Sequence, residues 1–352
     1  MDVTYDGDLV RAGRQAREQF HDARGYGRPD DGGVALAPVE ATHLLFRGDI
    51  DAVVDGRAGD RRLDFRAFLA STAVSEVDFF VYKDFRDRGF YLSPAREAWV
   101  DDAAGVDFLV HPRGTGPWDG AVAYRVRAVS ERATLPAADL SALASGGGEG
   151  SGTLAVVDEE SELTYLRVTT PTLTGSTHHD IPATAGDLLA DRVLVWDPPG
   201  ALFERSFYGQ PLEDGATVQL SLVEAAYLAG RGTLSIAGEA DGERAVVERG
   251  RAVEGERFDR RLRVYGALRT AGVVPKTGYK FGADFRTYAD VDDVADLGHS
   301  ETLVRVLPAG HAFTPRDLAL DVRLAHGVRK EVVFALTDDA GIEWLSVGRL
   351  TP

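Results

Sequence analysis

Hydrophobic and polar positions alternate along this chain in two recurring ways. Phe258, Leu262, Tyr265 and Leu268 recur at helical spacing, and Gly272 follows where a helix C-cap belongs, so a helix is predicted to end there. Elsewhere the pattern is strand, acidic turn, strand: VVDEESELTYLRV from Val156 and ALTDDAGIEWLSV from Ala335. These segments belong to an internal repeat with an offset of about 183 residues. Tyr26, Gly27 and Pro29 match Tyr208, Gly209 and Pro211, and Val39-Glu40-Ala41 matches Val223-Glu224-Ala225. Further on, Tyr82, Arg86 and Gly89 match Tyr265, Arg269 and Gly272.

Each repeat has a front part, read as helical with some short strands, and a back part made of a helix followed by several strands. The expected fold is mixed α/β: two tandem repeats, each with a small α+β front domain and an α/β back domain. The expected boundaries are 1–75, 76–170, 184–255 and 256–352. The glycine-rich run 145–152 reads as a flexible loop, and 169–186 as the linker between repeats.

At 352 residues and 44% hydrophobic content, the chain can bury more than one core. No apolar run approaches the roughly 18 residues of a membrane span, and no signal peptide is visible at the start. Cysteine is absent, which excludes disulfides and thiolate metal sites; a cytoplasmic location is expected. Charge changes the picture more. Asp and Glu number 56 against 39 Lys and Arg, a net charge of -17. Only four lysines occur: Lys83, Lys276, Lys280 and Lys330. Such a balance argues against nucleic acid in ordinary salt, but it is also what a cytosol at molar salt favours, where acidic surfaces keep proteins dissolved.

The two back parts differ where chemistry would need them to. The second carries GYKFGADFRTYADVDDVADLGHSETLVRV and then DLALDVRLAHGVRKEVVFAL. These segments resemble the catalytic domain of archaeal tRNA-splicing endonucleases: a glycine- and aromatic-rich strand ending in tyrosine, a His-Ser after a short loop, and Arg-Leu-Ala-His leading into Val-Arg-Lys. The resemblance covers the whole chain, because some members are tandem duplications with one degenerate half. It implies an endoribonuclease that excises introns from precursor tRNA at bulge-helix-bulge sites, without a cofactor or metal, as a homodimer.

By position, the resemblance puts the catalytic residues at Tyr288, His299 and Lys330. These side-chain types suit metal-free cleavage, because the RNA supplies its own nucleophile in the adjacent 2′-hydroxyl. A histidine ordinarily titrates near ~6.5 and can protonate the leaving 5′-oxygen. A lysine can hold the extra charge on phosphorus. A tyrosine, with an ordinary pKa near ~10, serves as base with help from cations, or only orients the hydroxyl. The resemblance also implies that Arg323 stacks on a bulged base. It further implies that the acidic turns, Asp158, Glu159 and Glu160 with Asp338 and Asp339, dock into another unit.

In the first repeat, aligning Phe108–Val110 with 302–304 sets Gly105 opposite His299, the last hairpins set Ser151 opposite Lys330, and Trp99 falls near Tyr288. That half reads as a non-catalytic copy. His178-His179-Asp180 offers no third metal ligand, and His326 reads as packing near the site. Two other readings stand beside the endonuclease: a non-catalytic RNA-binding or assembly subunit, and a metal-dependent nuclease of the restriction type, for which Lys330 has Glu331 beside it but no fitting Asp or Glu pair upstream.

Overall fold

The computed structural model describes residues 1–71, 73–101, 103–146, 150–213 and 215–352. Part of the expected glycine-rich loop, 147–149, lies outside the described residues. The chain divides into two compact units, one of residues 1–169, 312–319 and 348–352, the other of 170–311 and 320–347. Among the described residues no helix is long and apolar enough to cross a membrane.

Unit 1 opens with β1 (Asp2–Tyr5), β2 (Val10–Ala12), α1 (Arg14–Ala16), β3 (Arg28–Asp30), β4 (Gly33–Leu36), α2 (Pro38–Arg47), β5 (Ala52–Asp55), β6 (Arg61–Leu63) and α3 (Phe65–Leu69). Its front part is therefore built on a sheet, in the order β3-β4-β2-β1-β5-β6, and holds more strand than the sequence pattern suggests. Strands of three or four residues are too short to display alternation. The back part follows as α4 (Glu76–Asp87), β7 (Leu92–Pro94), β8 (Phe108–Val110), β9 (Tyr124–Ser130), β10 (Leu135–Pro136), α5 (Ala137–Ser145), β11 (Ser151–Val157) and β12 (Leu163–Thr169). Its main strands run β7-β8-β9-β11-β12, with β9 and β11 parallel and the other neighbours antiparallel.

Unit 2 repeats the plan. β13 (Thr184–Leu188), β14 (Arg192–Trp196), β15 (Gln210–Pro211), β16 (Thr217–Ser221), α6 (Leu222–Gly230) and β17 (Leu234–Ile236) form its front part. Then come, in chain order, α7 (Gly242–Glu254), α8 (Glu256–Thr270), β18 (Val274–Thr277), β19 (Phe285–Tyr288), β20 (Thr302–Pro308), β21 (Ala312–Phe313), α9 (Pro315–Gly327), β22 (Glu331–Thr337) and β23 (Ile342–Leu350), of which β21, the start of α9 and the last residues of β23 count with unit 1. The strand order is again β18-β19-β20-β22-β23, with β20 and β22 parallel. The helix predicted from Phe258, Tyr265 and Leu268 is α8. These side chains are buried, and Gly272 takes the left-handed φ of 77° that ends it.

The residues that announce the repeat in sequence form one buried cluster in each unit. Glu40 is fully buried and accepts the N–H groups of Gly27 and Ala37, both at 2.8 Å. Glu224 does the same with Gly209 at 2.9 Å and Ser221 at 3.0 Å. Each carboxylate thereby caps its helix and ties down the Tyr-Gly turn. Gly27 and Gly209 both have positive φ, and a Cβ would stand 2.3 Å from Ala35 O in one and 2.4 Å from Gln219 O in the other. The Arg86 guanidinium lies 3.9 Å over the Tyr26 ring, and that of Arg269 lies 3.7 Å over Tyr208.

The copies differ in one charge. In unit 2, Lys276 Nζ donates to Glu224 Oε1 at 3.0 Å and to the carbonyls of Phe207 and Gly209. Strand register gives the matching place in unit 1 to Ser93. Burial pushes the Glu40 carboxyl up to about 7, against its two N–H bonds and the nearby Arg86. Burial acts on Glu224 as well, but the Lys276 ammonium and the N–H bonds outweigh it and hold the group at about 2.

These values set opposite pH windows. The folded pKa of Glu40 lies above its ordinary 4.5, so its contribution is fully present below about 4.5 and is lost as pH rises through about 7. The contribution of Glu224 is present above 4.5 and is lost only as pH falls toward 2. Denaturant unfolding at fixed high salt should show wild type losing on the order of 3 kcal/mol relative to Glu40→Gln between pH 4.5 and 8. Parallel pH curves for the two proteins would contradict this.

Candidate active site

Three neighbouring strands of unit 2 end at one rim. Register pairs Thr287 of β19 with Thr302 of β20, and Thr302 with Glu331 of β22. The pairing continues one residue further, because Glu301 N donates to Thr287 O at 3.0 Å and Glu331 N to Glu301 O at 3.1 Å. Tyr288, Glu301 and Lys330 therefore stand in a row across the rim. With strands about 4.8 Å apart, the main chains of Tyr288 and Lys330 are about 10 Å apart. His299 is exposed in the loop just before β20.

Each residue is held by a local device. Lys330 follows the end of α9, where its N–H bonds to Ala325 O at 2.9 Å and Arg329 takes a φ of 57°. This is a Schellman-type ending with arginine where glycine is usual, so the turn that aims Lys330 stores backbone strain. The Lys330 ammonium bonds to Ser300 O, beside His299, and lies 5.7 Å over the Phe281 ring. Partial burial and the nearby Arg286 guanidinium hold it below the ordinary lysine range. Val291, Val294 and Leu297 anchor the loop leading to His299 in a small apolar cluster with Phe207 and Tyr288.

A cavity of about 530 Å³ opens at this rim, and its lining includes His299, Ser300, His326 and Lys330 together with Pro171–Thr174. Tyr288 does not line it, although Thr287 and Ala289 do. Successive strand residues point to opposite faces. Tyr288 shares its face with Arg286, whose guanidinium is 5.8 Å from its ring, and packs edge-on to Phe207 at 5.6 Å. Of the three sequence-predicted residues, the cavity thus gathers His299 and Lys330. Tyr288 joins them through the strand row, with its ring 6% exposed. Among the described residues no group of three or more His, Asp or Glu is arranged to hold a metal ion.

Residues 258–344 match the model of the tRNA intron endonuclease catalytic C-terminal domain, and residues 1–69 and 184–248 match that of the N-terminal domain. The chain is 63% identical to a tRNA-splicing endonuclease of Haloarcula marismortui over 354 residues, covering all of both chains. It is 60% identical to one from Natronomonas pharaonis over 98% of each chain, and 37% identical to one from Methanosarcina acetivorans over 99% of each. The chain belongs to the tRNA intron endonuclease family. Haloarchaeal relatives agree with the halophilic reading of the acidic, lysine-poor composition.

Within this family member, the match between the halves needs correction. Strand order makes β8 the counterpart of β19 and β9 that of β20, so aligning Phe108–Val110 with 302–304 is off by one strand. The true frame is marked by Asp107 and Asp284: each accepts a backbone N–H at 2.8 Å, from Ala128 and from Val306 respectively. In that frame His111, not Trp99, stands opposite Tyr288, and Gly105 is not opposite His299. Hairpin register puts Gly150 opposite Lys330, one residue from Ser151. His111 is buried, bonded to Ala121 O and Ser93. A three-residue apolar match cannot tell neighbouring strands apart.

Arg323 is exposed on α9, one helical turn before His326. The acidic segments are hairpin turns as expected. Asp158 accepts the N–H groups of Glu160 and Glu162, and Asp338 those of Ala340 and Gly341. These two aspartates shape their own turns, and Glu159 pairs with Arg132 at 2.6 Å. Sequence reasoning missed Arg286, Phe281 and the Pro171–Thr174 wall. The only signal for the first two was their place in the same aromatic-rich motif.

The packing of Tyr288 separates its ring from its hydroxyl. Tyr288→Phe should keep the melting temperature within a degree or two, while Tyr288→Ala should cost about 3–5 kcal/mol by emptying the contact with Phe207. Thermal unfolding of both variants measures this, and equal stability of the two would contradict the packing.

Proposed function

We propose that the chain is a tRNA-splicing endonuclease that excises introns from precursor tRNA at bulge-helix-bulge sites without a metal ion. The observation that carries this reading is the row of strand ends bearing Tyr288 and Lys330, with His299 beside them, in the domain that matches the family's catalytic model.

The 2′-hydroxyl at the cut attacks the adjacent phosphorus. Tyr288 takes or orients its proton, with the Arg286 guanidinium 5.8 Å from its ring. The P–O5′ bond breaks as His299 gives a proton to the leaving 5′-oxygen. Lys330, fixed near Ser300 and His299, balances the charge that builds on the phosphoryl oxygens. The products are a 2′,3′-cyclic phosphate and a 5′-hydroxyl. Proton transfers and the fixed cation cover every charge change in this step.

Two cuts per intron call for two active centres, and each chain carries one. A two-fold homodimer supplies the second. The hairpin turns are its contact points, with Glu160 and Asp339 free to dock where Asp158 and Asp338 hold the turn.

Single-turnover cleavage of an intron-containing precursor in high salt tests the chemistry. His299→Ala and Lys330→Ala should each slow cutting at least 100-fold with RNA affinity nearly unchanged. Wild type should cut fully in EDTA and leave cyclic-phosphate ends. Near-normal rates in either variant, or loss of activity on chelation at constant salt, would overturn the assignment. Arg323→Ala should weaken cutting at bulged sites, and Arg323→Lys should restore it only in part, because an ammonium does not stack as a guanidinium does. Full rescue by lysine would reduce the role of Arg323 to charge.

A further inference from the structure

The segment between the repeats, expected as a linker, has no helix or strand from 170 to 183, yet it is fixed across 175–179. Gly175 N donates to Ala271 O at 2.8 Å, Ser176 N to Ala289 O at 2.9 Å and Thr177 N to Gly272 O at 3.0 Å. Side chains add to this. Ser176 Oγ donates to Asp290 at 2.6 Å, Val291 N donates to Thr177 Oγ1 at 2.9 Å, and His179 Nε2 donates to Val291 O at 3.1 Å. The docking admits no side chain at its centre. A Cβ on Gly175 would stand 2.3 Å from Gly272 O and 2.5 Å from Ala289 O, and one on Gly272 would stand 2.4 Å from Gly175 O.

The contacted residues, Ala289, Asp290 and Val291, directly follow Tyr288 and begin the loop that ends at His299. The residues just before these contacts, Pro171–Thr174, line the same cavity as His299 and Lys330. Thr177 is 9% exposed, so its hydroxyl meets Val291 N away from solvent, where a lost acceptor would leave that N–H unpaired.

We propose that this strap is a positioning element of the active site: it splints the 289–299 loop, with Thr177 as the residue that fixes where His299 is presented. The strap follows β12 of the first repeat, so the degenerate copy is tied covalently to the geometry of the working one. The inference rests on the proposed splicing activity for its kinetic consequence and is independent of it for its structural one.

The test compares Thr177→Val, which keeps the shape and removes the acceptor, with Thr177→Ser, which keeps the acceptor. At saturating precursor tRNA, Thr177→Val should cut at least 10-fold more slowly with RNA affinity unchanged, and Thr177→Ser should return to within about twofold of wild type. Amide hydrogen exchange across 289–299, measured without RNA, should quicken at least 10-fold in Thr177→Val and not in Thr177→Ser. A wild-type protein that fails to cut precursor tRNA would remove the functional reading and leave the exchange prediction standing. Unchanged exchange and rate in Thr177→Val, or a loss that Thr177→Ser shares, would overturn the proposal.

Discussion

A buried carboxylate is the constraint on which each repeat is built. Glu40 and Glu224 each accept two backbone N–H groups, one at a helix start and one at a Tyr-Gly turn. Placing a carboxyl away from water is tolerable only when its lone pairs are met and a cation is near. Near Glu40 the cation is Arg86, stacked on Tyr26; near Glu224 it is Lys276, with Arg269 stacked on Tyr208. Four residues thus lock helix, turn and back-part helix together, and changing any one strands the others. This accounts for the survival of Tyr-Gly, Val-Glu-Ala and the Tyr–Arg pair in both copies while most of the sequence between them differs.

On that shared frame the two halves diverge at the rim of the back sheet. Side chains differ there while the strand order and register of the back sheet are kept. In unit 2 the rim holds Tyr288, His299 and Lys330; at the first and last of these places unit 1 has His111 and Gly150. The extra lysine of the buried cluster, Lys276, lies on β18, one strand from Tyr288, and settles the charge of Glu224. The second half therefore has a buried carboxylate paired with a lysine, and the first half has a carboxyl whose burial raises it to about 7.

Charge is distributed with the same logic. Three of the four lysines fall within 276–330 of a chain with net charge -17. Lys276 is enclosed and bonded to Glu224, whereas Lys330 stands at the rim. Rarity of lysine does not by itself tell the buried ion pair of Lys276 from the rim position of Lys330 or from the exposed Lys280.

By itself the sequence determined the duplication, the helix over 258–268 with its terminal glycine and the acidic hairpin turns, because each rests on local periodicity or a contiguous motif; it offered Tyr288, His299 and Lys330 only through a resemblance. Short front-part strands escaped it, since three residues display no period. So did the correspondence of β8 with β19, since hydrogen-bond register between strands leaves no trace in a short apolar run. Only the tertiary structure decided that the ring of Tyr288 turns toward Phe207 while His299 and Lys330 share a cavity. It alone showed that an apparent linker is pinned against the loop between them. The pinning depends on backbone groups far apart in sequence meeting closely, as Gly175 does against Gly272, which no local pattern encodes.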